Sequence, residues 1–169
     1  MNKRLTENRL MNITLFYLSR YESSTEKVRS MLNRRLRRMK IQGEEIPPEA
    51  PVWIENILQK IQKESYVDDN RYAENQVRSL AAQGKSEHFI CAKLALAGIL
   101  GDRVKEILDS MESTEESRAK RFVARKKIGY LRPRRDRQKF WEKDMAALAR
   151  AGFSYDIARQ ALTDESEES

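Results

Sequence analysis

Apolar residues recur at three- and four-residue spacing along almost the whole chain, the period of a helix with one buried face. Met11, Leu15 and Leu18, joined by Leu10, Ile13 and Tyr17, mark a first helix. Val28, Leu32, Leu36 and Met39 mark a second, after Ser23-Ser24-Thr25-Glu26, where Ser23 and Glu26 have the spacing of a capping box. Gly43 stops it, and Pro47, Pro48 and Pro51 announce a loop and a new start, followed by Ile54, Ile57, Leu58 and Ile61. Asp68 and Asp69 are expected to cap the next helix, with Tyr72, Val77 and Leu80 facing inward. Ser86 caps a helix carrying Phe89, Ile90, Leu94 and Ala97. Gly98 ends that helix, and Asp102 opens one with Val104, Ile107, Leu108 and Met111. Ala119, Phe122 and Val123 begin the last third, which Gly129 and Pro133 interrupt. Trp141, Met145 and Leu148 then run to a stop at Gly152, and Ile157, Ala161 and Leu162 close the pattern. The expectation is about nine helices and no strand.

The pattern repeats internally. Moved back by 62 positions, Asn70, Arg71, Leu80, Ser86 and Leu94 fall on identical residues, Asn8, Arg9, Leu18, Ser24 and Leu32. Moved forward by 54, Leu94, Ala95, Ala97, Gly98, Asp102 and Leu108 fall on Leu148, Ala149, Ala151, Gly152, Asp156 and Leu162. The shared positions are caps, stops and apolar contacts, which a helix–turn–helix unit cannot vary freely. The chain thus reads as all-α, with three tandem three-helix repeats over 5–64, 66–112 and 114–164 and an acidic tail over 165–169. Units this small bury little surface alone, so they are expected to stack into an elongated, curved body.

Composition agrees with long helices. Six glycines and four prolines in 169 residues are about half the usual share of chain breakers. No stretch approaches the ~20 apolar residues of a membrane span, and the first residues lack the apolar core of a signal peptide. The expected protein is soluble and cytoplasmic. One Cys and one His speak against an intrachain disulfide, a structural zinc site or a Cys–His catalytic pair.

Charge changes the picture more. The formal net charge is +7, and it is unevenly spread. Residues 24–40 carry seven Lys/Arg against one acid, 44–74 carry three against eight, and 117–150 carry thirteen against three. Two basic blocks around an acidic one point to a polyanion or an acidic protein as partner. Arg34, Arg35, Arg37, Arg38 and Lys40 flank Leu36 and Met39, so that helix packs on one side and offers cations on the other. Arg118, Arg121 and Arg125 recur at about one helical turn, and Lys126 and Lys127 extend them. Arg132, Arg134, Arg135, Arg137 and Lys139 form the densest run. Guanidinium forks suit carboxylate and phosphate, and the neighbouring Tyr130, Phe140 and Trp141 offer stacking to unpaired bases. The spacing of Trp141 to Met145 and Leu148 favours a core role for it, and Trp53 reads likewise. The acids Glu44, Glu45, Glu49 and Glu55 either repel nucleic acid or pair with the neighbouring basic helix. The pair Asp68–Asp69 reads as helix capping rather than acid–base catalysis, His88 as a structural or surface residue, and Cys91 as a small buried or half-buried side chain. No Gly-rich phosphate loop is present. These residues suggest no catalytic site, cofactor or metal.

Four stretches of the chain are similar to motifs of one known family. Leu15-Phe16-Tyr17-Leu18-Ser19-Arg20 running into Ser24 and Val28 is similar to the family's first-repeat helix and cap. Tyr66-Val67-Asp68-Asp69-Asn70-Arg71-Tyr72-Ala73 resembles its aromatic–aliphatic–Asp–Asp–x–Arg–aromatic–Ala signature. Lys93-Leu94-Ala95-Leu96-Ala97-Gly98-Ile99 and Arg150-Ala151-Gly152-Phe153-Ser154 resemble its Gly stops. Ser65 stands where the family usually has Gly, Lys27 where an acid is usual, and Ala97 where a basic residue is common. Together these stretches resemble the RecX family of regulatory proteins, and the resemblance implies a helical-repeat protein without catalytic activity. It would bind RecA and the RecA–single-stranded-DNA filament and damp filament growth, ATPase, strand exchange and co-protease activity, in some members with direct DNA binding. A monomer without membrane contact is expected. Charge alone leaves open a stand-alone nucleic-acid binder or an adaptor for another acidic partner.

Overall fold

A computed structural model describes residues 5–163; the acidic tail expected at 165–169 lies outside them. Among the described residues there are ten α-helices, one 3-10 turn and no strand. The chain divides into two compact units. One runs through Tyr72 and adds Leu96–Gly98; the other takes Ala73–Ala95 and everything from Ile99 onward.

The first unit contains α1 (Glu7–Leu18), α2 (Thr25–Ile41), α3 (Ala50–Lys63) and the start of α4 (Asp69–Ala82). Both α1 and α2 pack on α3. Leu10, Val28, Leu32, Ile54, Ile57 and Ile61 are buried at their centre, with Trp53 half-buried against them. Thr14 is also fully buried, and its hydroxyl donates to the Leu10 carbonyl 2.9 Å away.

The second unit holds the rest of α4, then α5 (Glu87–Ala95), α6 (Gly101–Ser110) and α7 (Glu115–Lys126). A 3-10 turn (Gly129–Leu131), α8 (Arg134–Arg137), α9 (Trp141–Arg150) and α10 (Tyr155–Thr163) follow. Gly129 and Pro133 thus interrupt the helical run as expected, and they leave the short α8 between them and Trp141. Helix α5 packs on α6, and α10 packs on both α7 and α9. Val123, Leu148, Phe153, Ala158 and Leu162 form a core, with the Phe122 and Phe153 rings edge to face at 5.9 Å. Phe89, expected on an apolar stripe, is instead 36% exposed, with the Lys85 ammonium over its ring.

Helix starts follow the sequence closely. Thr6, Ser24, Asp68, Ser86 and Thr114 each accept a backbone N–H three residues on, at 3.0 to 3.3 Å. Such caps are worth about 1 kcal/mol each. Two expectations are corrected. The cap of α2 is Ser24 rather than Ser23, and Glu26 pairs with Arg29 instead of closing a capping box. Asp68 alone caps α4, while Asp69 reaches to the start of α2, accepting the Thr25 N–H at 2.8 Å and its hydroxyl at 3.2 Å.

That joint has a counterpart in the second unit. There Glu115 accepts the Glu87 N–H at 3.2 Å at the start of α5. Gly98 and Gly152 complete the likeness, both at positive φ. A Cβ on Gly98 would lie 2.9 Å from the Glu26 Cβ, and one on Gly152 would lie 2.6 Å from the Ser86 hydroxyl. Gly98 and Gly152 are equivalent in the internal alignment, as are Glu26 and His88, whose Cβ atoms they face, so this helix-end contact recurs in each unit. Ser65, standing where the family usually has Gly, is held at φ +57°, the left-handed region that favours Gly.

Candidate functional site

The basic residues of α2 lie on solvent. Arg34, Arg35, Arg37, Arg38 and Lys40 are all exposed, while Leu36 and Met39 between them turn inward. None of the five cations has a hydrogen bond or ion pair among the described residues. Three features place them there. Ser24 fixes the helix start, Val28 and Leu32 bury its inner face, and Lys40 near its end suits the negative end of the dipole. Two apolar side chains belong to the same unit's surface, Ile41 at 86% exposure and Val52 at 60%. The acids of residues 44–55 meet α2 in one place: Glu55 binds Arg29, and Arg29 also takes Glu26 at 3.1 Å. The hydrogen bond Arg29 donates to Glu55, with the charges of Glu55 and Glu26, lifts the Arg29 pKa above its ordinary value against the opposing effect of burial. Arg34 to Lys40 lie outside that pairing.

The second basic block is divided. Arg118 is 1% exposed, so the expectation that it faces a partner is corrected. Its guanidinium donates to the Ser113 carbonyl and hydroxyl and pairs with Glu115, the acid that also takes the Glu87 N–H. Arg121 donates to the Ala81 carbonyl at 3.2 Å and Arg125 to the Gln83 carbonyl at 2.7 Å. Both reach carbonyls at and just beyond the C-terminal end of α4, and the Ala81 carbonyl also takes the Gly84 N–H at 2.9 Å. Arg132 forks onto Asp144, with Nε at 2.7 Å and an Nη at 2.8 Å, and lies over the Phe140 ring at 4.6 Å. Arg137 Nε donates to the Arg132 carbonyl at 3.0 Å. In these five arginines the groups expected to meet a partner serve the fold.

Arg121 and Arg125 are exposed despite these bonds; the other exposed cations of this block are Lys126 and Lys127 at the end of α7, Arg134 and Arg135 on α8, and Lys139. Arg135 is 87% exposed on its side chain and stands 3.9 Å from Asp136. Trp141 is half-buried: it packs against the core of the unit and also lines a pocket with Arg137, Gln138, Lys139 and Glu142.

Asp144 carries weight that residue type alone did not suggest. It is 2% exposed, takes the Arg132 fork, and accepts the Gly129 N–H at 3.0 Å. Burial pushes its carboxyl pKa up, but hydrogen bonds from Arg132 and the Gly129 N–H outweigh burial and hold it below the ordinary carboxylate value. The same pairing raises Arg132. The signal was present: Asp144 stands three residues after Trp141 and four before Leu148, on the apolar stripe of α9. An acid on a buried stripe inside a basic block announces an internal salt bridge.

His88 is exposed, and Cys91 is half-buried with its thiol pKa pushed up by burial and then by nearby acids. Among the described residues no cluster of three or more His, Cys, Asp or Glu could hold a metal ion, and no helix is long and apolar enough to cross a membrane. The geometry thus offers two exposed cationic surfaces, one in each unit.

No protein-family model matches the chain. It is 35% identical to the regulatory protein RecX of Myxococcus xanthus over 164 residues, covering 95% of this chain and 87% of that one. It is 31% identical to the regulatory protein RecX of Vibrio vulnificus over 112 residues, 66% of this chain and 71% of the other. Two solved structures share the fold. A crystal structure of a regulatory protein RecX superposes with a TM-score of 0.60 at 20% identity, over 92% of this chain and 70% of that one. The crystal structure of RecX from Lactobacillus salivarius gives 0.56 at 22% identity, over 92% and 93%. With a third of its residues shared along nearly the whole of the Myxococcus protein, this chain belongs to the RecX family of regulatory proteins.

Proposed function

We propose that the chain is a non-enzymatic regulator that binds the RecA recombinase and its filament on single-stranded DNA. In this reading it negatively modulates filament growth, ATPase, strand exchange and co-protease activity. The observation that carries it is the 35% identity to the Myxococcus regulatory protein over 95% of the chain. The exposed, internally unpartnered cations of α2 support it. Five positive side chains held ready on one helix lose little by meeting acidic protein or phosphate, because no internal contact must break first.

The repeat boundaries 5–64, 66–112 and 114–164 divide the protein into units that each supply part of the contact. Several modest contacts on one chain bind an array more tightly than any one alone, since the later contacts form at high effective concentration. A regulator that prefers one filament state shifts the population toward that state. The protein acts as a cytoplasmic monomer without a cofactor.

The test is the RecA ATPase on single-stranded DNA, with the chain added after filament assembly and well below the RecA concentration. DNA is kept in excess of what the chain could sequester. Loss of ATPase at low ratio is expected. Unchanged ATPase despite tight binding to bare DNA would overturn the RecA reading and leave a stand-alone nucleic-acid binder.

A further inference from the structure

We infer that the pocket at the start of α9 is a stacking site for one unpaired base of single-stranded DNA, with Trp141 as its platform. Five residues line it: Arg137, Gln138, Lys139, Trp141 and Glu142. Their chemistry divides in a way that suits a nucleotide. The indole supplies an aromatic surface, and stacking of this kind tolerates any base because every base has a π-face. The Gln138 amide both donates and accepts, and the Glu142 carboxylate accepts from a base amine while repelling phosphate. Exposed Lys139 supplies positive charge for the phosphate, and Arg137, though held within the fold, adds its field to it. The Arg137 guanidinium is steadied by its Nε bond to the Arg132 carbonyl at 3.0 Å, so the charge is held in place before a ligand arrives.

The backbone adds to this. Trp141 is the first residue of α9, and Phe140 before it offers no side-chain cap. The Trp141 N–H is taken by the Gln138 carbonyl at 3.3 Å, and the N–H groups that follow it in the first turn keep their partial positive charge. Trp141 also packs against the core of its unit, which restrains the ring. Bases in a duplex are already stacked and cannot enter, so the site selects single strands.

The inference rests on the reading that single-stranded DNA is part of what this family member contacts, but it is tested without RecA. The chain has two tryptophans, so Trp53→Phe leaves Trp141 as the sole emitter. Titration with a short oligothymidylate at low salt is expected to quench that emission saturably, and a duplex of equal length to leave it unchanged. Trp141→Leu, which keeps an apolar group against the core, is expected to weaken oligonucleotide binding about ten-fold by anisotropy. Lys139→Ala, at an exposed position, is expected to weaken it with an unchanged melting curve. Oligonucleotide binding that leaves Trp141 emission unmoved, equal quenching by duplex, or full affinity in both variants would overturn the site. A chain that is quenched by the oligonucleotide yet leaves RecA ATPase untouched would support the stacking site and overturn the RecA reading.

Discussion

Residues 34–40 and 118–139 are alike in sequence: arginine-rich, helical, with apolar residues between the cations. In α2 the cations Arg34, Arg35, Arg37 and Arg38 lie exposed and without internal partners among the described residues. In the later block Arg118, Arg121, Arg125, Arg132 and Arg137 donate to carbonyls or pair with acids inside their own unit. The difference follows from what each helix meets. Helix α2 packs through aliphatic side chains and leaves no orphan carbonyl for its cations. The later block lies beside the end of α4 and contains short pieces, the four-residue α8 and a 3-10 turn, so the carbonyls of Ala81, Gln83, Ser113 and Arg132 come within reach of its guanidinium groups. A guanidinium, with five donors in a fixed fork, suits such contacts. Positive charge in a sequence is therefore of two kinds, and counting it overstates the surface open to a partner.

Substitutions can break the comparison at several depths. Arg118→Ala should destabilise most, by about 4 kcal/mol, because Glu115 and the Ser113 carbonyl lose a buried partner. That is a fall in melting temperature on the order of 10 °C for a chain of this size. A melting curve unchanged within error would remove Arg118 from the fold's support.

Next in size is Asp144→Ala, expected at about 3 kcal/mol at neutral pH, since it leaves the Arg132 fork and the Gly129 N–H without an acceptor. Its pH dependence has a definite sign. The folded carboxyl titrates below its unfolded value, near 3.9. Its contribution is present in full above that value and is lost as pH falls through the folded pKa. The stability gap between wild type and Asp144→Asn should accordingly narrow below about pH 4 in denaturant titrations. A gap that widens with acid would contradict the pairing.

Gly152→Ala should cost about 2 kcal/mol, because φ is +90° and a Cβ would strike the Ser86 hydroxyl that caps α5 and binds the Ala151 carbonyl. Gly43→Ala, at φ +77° with nothing within 4 Å, should cost only about 1 kcal/mol. Urea midpoints of the two variants compare the strain with and without the contact. Equal losses would mean the helix-end contact adds nothing.

Smallest in stability and largest in function should be Arg34→Ala with Arg35→Ala and Arg38→Ala. Folding should change by less than about 0.5 kcal/mol per site, since the positions are exposed and Ala favours helix. If these residues meet single-stranded phosphate, the slope of log affinity against log salt should fall by about 0.7 for each phosphate no longer neutralised. An unchanged slope together with weakened RecA modulation would assign α2 to protein instead.

Much of the fold was legible because caps and stops are local chemistry. Ser24, Asp68 and Ser86 bond the backbone three residues on, and Gly43, Gly98 and Gly152 take left-handed conformations, whatever else surrounds them. The helices of the first unit, and most of their inward faces, follow from such signals. The site was legible only by residue type. Arg118 and Asp144 lie on apolar stripes, and only their position relative to Ser113, Gly129 and Arg132 shows that they face inward. Trp141, with the spacing of a core residue, is shared between core and pocket: it packs against its unit's core and is half-buried at the first position of α9.

The helices, most of their caps and stops, the internal repetition and the two blocks of positive charge follow from the sequence alone. These depend on bonds within a few residues and on a period the chain carries openly. Which arginines remain for a partner is settled by packing. A cation is left without an internal partner or held by one according to whether a carbonyl or carboxylate comes within about 3 Å of it. Ala81, Gln83 and Asp144 are brought that close to Arg121, Arg125 and Arg132 by the packing of helices distant in sequence.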